Sequence, residues 1–399
     1  MLCTRTFCPA PLLLLLLALP THAEKNLARP PGTTRYAPMV AGLQALLAYD
    51  KTQGMGRMAL SSLGYSVKGR DLWMVTLHSS PPVAAIGSAP AAPAPAAPDS
   101  TTVDTPAVPD STIAPVPAAA APPALPKRLF YLCRQHGHEP ASTEAALQFI
   151  TQLVKAAPGS PLALDLQRVT VYVVPMANPD GAEAFLRHNA HDKDINRDWL
   201  RRTQPETQAL YRTIVALHPD MMTDQHELYP DDTRPDFTET AGAGSGASAS
   251  LVQTCGMAQA VVQTVMQAAG YPTARHLVTD HHPARLAHRF GCIVAQVPTI
   301  LFETNRLPRL HRSVLARAQA HLQFMTALLR DMAGERDALL AEAARTRTPA
   351  RALSLLASRH LAAPRSGPAR PPVSLPAPAA VVPSVSTRGS TAPPAKDSE

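Results

Sequence analysis

Along this chain, short runs of apolar residues alternate with longer stretches in which apolar positions recur every three or four residues. The first period is that of buried strands and the second that of helices with one covered face. Residues 36–49 set Met39, Leu43, Leu46 and Leu47 on one side of a helix. Residues 72–77, 128–133 and 169–174 are apolar runs of strand length, the last of them β-branched. Residues 142–156 read as a helix, and Thr203-Gln-Pro-Glu206 has capping-box spacing with a proline in the first turn of a helix that runs through His218. Residues 221–223 and 297–302 are short buried strands, and residues 242–250 a Gly/Ala/Ser loop. Residues 308–340 read as one long helix opening on a proline, with Leu315, Ala318, Leu322, Met325 and Leu329 on one face. No internal repeat is visible. Strands alternating with helices predict an α/β layered domain.

Composition changes that picture at two places. Of the 42 prolines, 13 fall in residues 81–126 and 9 in residues 364–399. Both stretches are otherwise mostly Ala, Ser, Thr and Val, which bury too little apolar surface to offset the entropy of ordering, so both are expected to be disordered. The first is an insertion between two candidate strands, where a long surface excursion costs little more than a short one. Roughly 250 to 280 residues remain, enough for a single domain with a sizeable core. The expected organisation is a leader at 1–23, a catalytic domain at 34–333 carrying the insertion, a helical extension at 334–363 and the proline-rich tail.

The leader reading rests on Arg5, the leucine-rich stretch at 11–20 and the small residues of Thr21-His22-Ala23. About ten apolar residues is half a bilayer span, so export with cleavage after Ala23 is expected, to periplasm or medium, and no membrane span thereafter. Cys3 and Cys8 precede the leucines, which does not support a lipid-bearing cysteine at the cleavage point. Cys133, Cys255 and Cys292 would survive, allowing at most one disulfide within the chain, which sequence alone does not choose. The formal charge of +7 comes without any dense Lys/Arg cluster, which argues against nucleic acid as a partner. Nothing indicates an obligate partner, and a monomer is expected.

Chemistry gathers where the strands end. After residue 133 the chain reads Arg134-Gln-His-Gly-His-Glu-Pro140, with His136 and Glu139 three residues apart on a turn leaving a strand. Asp224-Gln-His226-Glu227 follows the apolar Met221-Met222. Two imidazoles and a carboxylate are the ligand set of a catalytic zinc site that keeps one position open, and Asp224 could fix a ring tautomer from behind. Glu303, in Ile300-Leu-Phe-Glu-Thr-Asn305, is a carboxylate in an otherwise apolar strand, where desolvation would raise its pKa toward that of a general base. Between these lie Asn178-Pro-Asp-Gly181, Arg187-His-Asn189 and Asp194-Ile-Asn-Arg-Asp-Trp199. One arginine near a metal can neutralise an oxyanion, and another beside an amide suits a carboxylate. Taken singly, each is the pattern of an ordinary surface residue; the reading rests on the set.

The set resembles the zinc metallocarboxypeptidase family of the carboxypeptidase A type, and within it the bacterial secreted members. The resemblance runs from residue 36 to residue 332, through Leu63-Gly-Tyr-Ser-Val-Lys-Gly-Arg-Asp71 and then HGHE, NPDG, RxN, DINRDW, DQHE and FETN in family order. It implies a three-layer α/β/α sandwich with a mixed, largely parallel twisted sheet. It implies one zinc ion held by His136, Glu139 and His226, with Glu303 as the catalytic glutamate. It further implies that Arg187 polarises the scissile carbonyl, and that Asn196 and Arg197 grip the terminal carboxylate of a peptide or peptide-like substrate. Arg289, within the region of the specificity pocket, is a further candidate for substrate contact, although a surface salt bridge would serve equally well. The mobile tyrosine of digestive members has no counterpart in Thr279-Asp-His-His-Pro283; Tyr229 and Tyr271 are stand-ins without motif support. The reaction expected is hydrolysis of a C-terminal peptide or amide bond by zinc-activated water with Glu303 as general base. Because HGHE also resembles the HGNE of related deacylases (succinylglutamate desuccinylase and aspartoacylase), removal of acyl groups from amino acids is the alternative. A secreted binding module without catalysis is the third reading.

Overall fold

A computed structural model describes residues 27–79, 125–280 and 284–346. The leader, nearly all of the 81–126 insertion, residues 347–363 of the expected extension and the tail lie outside the described residues. So do positions 281–283 of the segment in which the auxiliary tyrosine was sought.

Helix α1 (Tyr36–Thr52) leads into a hairpin of β1 (Met58–Tyr65) and β2 (Asp71–Leu77). Next come β3 (Lys127–Cys133), α2 (Ala141–Val154), α3 (Pro161–Arg168), β4 (Val169–Val174), α4 (Pro179–Ala184) and α5 (Pro205–Leu217). The chain continues through β5 (Met221–Glu227), β6 (Phe237–Ala241), α6 (Ala249–Ala268), β7 (Ala274–Val278), α7 (Ala287–Ile293), β8 (Thr299–Thr304) and α8 (Val314–Met332). The strands form one mixed sheet in the order β1-β2-β4-β3-β5-β8-β6-β7. Its centre, β4-β3-β5-β8, is parallel, while β2 meets β4, and β6 meets β8, antiparallel.

The central strands read as unbroken apolar runs because both of their faces are covered. On β3, Leu129, Tyr131 and Cys133 enter a core built with Phe149 of α2 and Phe324 of α8. The intervening Phe130 and Leu132 enter a second core with Leu210 of α5, Phe290 of α7 and Trp199. The period of two thus divides one strand between two layers of helix, and the expected three-layer architecture is present.

Four expectations need correction. The long helix of 308–340 is broken: a 3-10 turn at Pro308–Leu310 precedes α8, which Ser313 caps by accepting a hydrogen bond from the Ala316 amide. It ends near Gly334, whose φ of +91° is left-handed, and residues 336–346 form another helix. The capping box does not form either. Gln204 is the N-cap of α5 and makes no side-chain cap. Instead Asp198 receives the Thr203 and Gln204 amides, and Glu206 is drawn away to the Val67 amide and Asn189. At 242–250, the end of the Gly/Ala/Ser stretch already belongs to α6, capped by Ser248. Strand β5 continues beyond Thr223 to Glu227, with its polar half fully buried.

Candidate metal centre and active-site cleft

After β3 the chain crosses to β4 on one side, then returns to β5 on the other. Between β3 and β5 the strand order therefore reverses, and in open α/β sheets such a switch point opens a crevice at the carboxyl ends of the strands. The turn after β3 carries His136 and Glu139 there, and the end of β5 carries His226. Glu303, directly across from His226 in the β5–β8 register, completes the group.

The turn after β3 is held from within. Arg134 adopts a left-handed φ of +56° and is fully buried, its Nε donating to the Gly137 carbonyl at 3.0 Å and its Nη1 to the Thr34 carbonyl at 2.9 Å. A Cβ at Gly137 would come within 1.9 Å of the Gly181 backbone. Glycine between the two histidines is therefore what lets the 178–181 turn press against this loop. Asn178 locks the approach, donating from Nδ2 to the Gln135 and Arg187 carbonyls at 3.1 and 3.2 Å.

Glu139 lies between the imidazoles, its Oε1 2.8 Å from His136 Nδ1 and its Oε2 2.8 Å from His226 Nδ1, while the two Nδ1 atoms are 3.0 Å apart. All three side chains are buried. The outer nitrogens face carboxylates: His136 Nε2 is 3.1 Å from Asp194 Oδ1, and His226 Nε2 is 2.8 Å from Asp224 Oδ1. An imidazole whose Nε2–H donates to a carboxylate presents the Nδ1 lone pair, the usual orientation of a metal-binding histidine. Two such lone pairs and a carboxylate converging within 4.8 Å fit a divalent ion. Burial alone would raise the Glu139 carboxyl, but His136 and His226 outweigh it and hold the group well below the ordinary range.

Glu303 is treated differently by its surroundings. It is half-buried, with Oε2 shut off from solvent and lacking any hydrogen-bond partner among the described residues. Burial pushes its pKa up to about 7, as its place in an apolar strand predicted. Arg187 reaches both sides of the cluster, with Nε 2.9 Å from Asp194 Oδ2 and Nη1 3.6 Å from Glu139 Oε1. The cleft above, about 250 Å³, is lined among others by Arg187, Asn196, Arg197, Tyr229, Glu239 and Arg289. Asn196 accepts from the Ala287 amide through Oδ1 at 2.8 Å, and its Nδ2 stands 3.0 Å from His226 Nε2. Arg289 donates to Glu239 Oε1 at 3.3 Å. Tyr229 lies in the cleft with its ring 5.3 Å from the Arg187 guanidinium, whereas Tyr271 packs, partly buried, against the core that includes Phe149 and Phe324.

All eight residues singled out in the sequence thus come to one place. Sequence reasoning missed the roles of Asp194, Gln135 and Glu239. Gln135 donates to Asp224 at 2.6 Å and accepts from Trp199 Nε1 at 2.8 Å, and His288 sits 2.9 Å from Glu239. For Asp194 the only sequence signal is its place at the head of Asp-Ile-Asn-Arg; for Glu239 there is none, since β6 has no distinctive pattern.

Fold and site together define an α/β domain with two histidines and one carboxylate, a group that fits a metal ion, at the switch point of its sheet. Residues 45–227 match the family model described as zinc carboxypeptidase. The match ends on β5, so Glu303 is placed by the fold rather than by the matched region. Carboxypeptidase 2 of Trichophyton rubrum is 34% identical over 93 residues, covering 23% of this chain and 17% of its own. Carboxypeptidase SOL1 of Arabidopsis thaliana is 32% identical over 91 residues, 20% of this chain and 18% of its own. The chain thus spans less than a fifth of the length of these relatives. Among solved structures, a metallo-carboxypeptidase from Burkholderia cenocepacia superposes with a TM-score of 0.53 at 20% identity, covering 74% of this chain and 69% of that one. Carboxypeptidase A from Helicoverpa armigera gives 0.52 at 14% identity, over 76% and 74%. At those identities the likeness is one of fold.

Proposed function

We propose that this chain is a zinc-dependent metallocarboxypeptidase that hydrolyses the last peptide or amide bond of a substrate with a free terminal carboxylate. The observation carrying the proposal is the pairing of two environments: Glu139 buried between two Nδ1 atoms, and, across the β5–β8 pair, a half-buried carboxyl whose shielded Oε2 has no hydrogen-bond partner among the described residues.

His136, Glu139 and His226 would hold the ion. When bound, zinc lowers the pKa of a water molecule and polarises a carbonyl. Glu303, lifted to about 7, is poised to accept a proton near neutral pH and hand it to the departing amine. Arg187, fixed by Asp194, presents positive charge at the edge of the cluster where an oxyanion would form. Arg197, with Asn196 beside it, receives the substrate's terminal carboxylate. The same asparagine accepts from the first amide of α7 and packs beside His226, which links substrate seating to ligand position. The wall formed by Glu239, His288 and Arg289 faces the side chain of the residue to be released, and its charges suit a polar residue. The leader-like sequence at 5–23 supports action outside the cytosol, as a monomer of the bacterial secreted type.

The test is reconstitution. Protein stripped with a chelator and reloaded with zinc is assayed on a peptide with a free carboxyl end, on the same peptide amidated, and on an N-acyl amino acid. Zinc-dependent release of the last residue from the free peptide alone is expected. Turnover insensitive to chelation, or preference for the N-acyl amino acid, would overturn the proposal.

A further inference from the structure

Cys133, Cys255 and Cys292 are thiols in the structure, and all are buried. Cys133 lies on β3, within the core that faces α2 and α8. Cys255, in the first half of α6, and Cys292, near the end of α7, share a small separate cluster with Ala241 and Leu251. Their sulfurs converge on one acceptor: Sγ of Cys255 is 3.9 Å from the Thr299 carbonyl and Sγ of Cys292 is 3.5 Å from it. Each thiol is also a hydrogen-bond partner of the other.

The position matters more than the proximity. Helix α6 contributes Ala258, Val262 and Met266 to one face of the sheet, whereas α7 contributes Ala287 and Phe290 to the other. The two cysteines therefore meet around the start of β8, where the two helical layers come together, at the end of that strand opposite Glu303. In the reduced state two S–H donors compete for one carbonyl. Oxidation removes both donors and leaves that carbonyl to a single environment. Sulfurs that share one acceptor and interact with each other are neighbours, as a disulfide with its bond of about 2.05 Å requires.

We propose that Cys255 and Cys292 form a disulfide when the chain folds under oxidising conditions, stapling α6 to α7 across the sheet, and that Cys133 stays a thiol. The oxidant is a low-molecular-weight disulfide such as oxidised glutathione. One cysteine thiolate attacks it and expels a glutathione thiolate. The second cysteine, losing its proton, attacks the mixed disulfide and expels the other. Two cysteine thiols are oxidised, the oxidant's S–S bond is reduced, and two molecules of glutathione leave with the two protons. Both sulfurs are buried in the folded chain, so the exchange takes place before α6 and α7 close over them.

The test is refolding of the full chain from denaturant in a glutathione redox buffer, against refolding in excess reductant. Non-reduced peptide mapping is expected to show a cross-link joining the Cys255 and Cys292 peptides, with Cys133 free to alkylate. The oxidised chain should melt higher by on the order of 5 °C. Cys255→Ala and Cys292→Ala should each abolish that increment, and the double variant should lose no more than either alone. Alkylatable thiols at both 255 and 292 after oxidative refolding would overturn the proposal. So would a cross-link to Cys133, or melting temperatures equal in the two redox states.

Discussion

Replacing Glu303 by glutamine separates what burial does to stability from what it does for chemistry. The carboxyl lies across from His226 with one oxygen unpartnered, and burial lifts its pKa from 4.5 to about 7. In the unfolded chain the group titrates at its ordinary value, so between pH 4.5 and about 7 the folded state keeps a proton that the unfolded state has released. Stability contributed by this group is fully present below the lower value and lost as pH rises to the upper one. At roughly 1.4 kcal/mol per unit, the loss comes to about 3 kcal/mol. Glutamine keeps the shape without the charge and escapes that loss. In urea unfolding of metal-stripped protein, Glu303→Gln should gain under about 1 kcal/mol on the wild type at pH 5 and about 3 kcal/mol at pH 8. Reloaded with zinc, the variant should bind metal normally and turn over at least about 100-fold more slowly. A stability difference that does not change with pH would refute the buried-carboxyl argument, and undiminished turnover would refute the base.

Asp194→Asn should weaken zinc binding about 10- to 100-fold, by taking the carboxylate from His136 Nε2 and from Arg187; competition with a chromophoric chelator reads this, and unchanged affinity would count against the tautomer argument. Arg197→Met should raise KM for a free-carboxyl peptide about 10- to 100-fold, the worth of charged hydrogen bonds, and leave the already poor amidated peptide unaffected; equal losses on both would place Arg197 elsewhere. Arg317→Met strands Glu227, buried on β5 and 2.6 Å from the guanidinium Nε, and should cost about 3 to 5 kcal/mol in denaturant unfolding. A loss below about 1 kcal/mol would mean that water reaches this carboxylate.

What the sequence made legible follows from how burial writes itself into residue type. Strand β4 is found at the predicted residues because Val169, Val171 and Val173 fill one core while Tyr172 and Val174 face the other. Helices α1 and α2 announce themselves by a single covered face. By contrast, β5 continues through Asp224, Gln225, His226 and Glu227, all buried, where no apolar pattern exists to follow. Those side chains are accommodated by partners distant in sequence: Gln225 by His321 at 2.9 Å and Glu227 by the Ala141 amide at 2.6 Å. Local pattern has no access to such compensation. β7 fails for the opposite reason, as an edge strand whose Leu277 is exposed. His136, Glu139, His226 and Glu303 were legible because their motifs sit at strand ends, where the backbone direction already determines the crevice. The pairing of Arg289 and His288 with Glu239 was not, since it forms only when β6 and α7 fold against each other.

The carboxylates around the metal centre divide their work by the company each keeps. Asp224 and Asp194 are both pushed upward by burial, and both are nevertheless held well below the ordinary range. For Asp224 the balance is set by His226 and His288, and for Asp194 by His136, Arg187 and Arg197. Glu139 is held down in the same way by the two histidines it bridges. Each of the three therefore stays ionised and serves to orient or bind. Glu303 shares the burial, and the nearby charges of His226 and Arg187 do not offset it, since Glu139 and Asp224 repel its charge as well. Its pKa moves up where theirs move down, and a divergence of that kind among neighbouring carboxyls is what separates a proton carrier from fixed counter-charges. Adding a hydrogen-bond donor to Oε2 of Glu303 would make it resemble the other three and, on the proposed mechanism, would cost the site its base without touching a single proposed ligand.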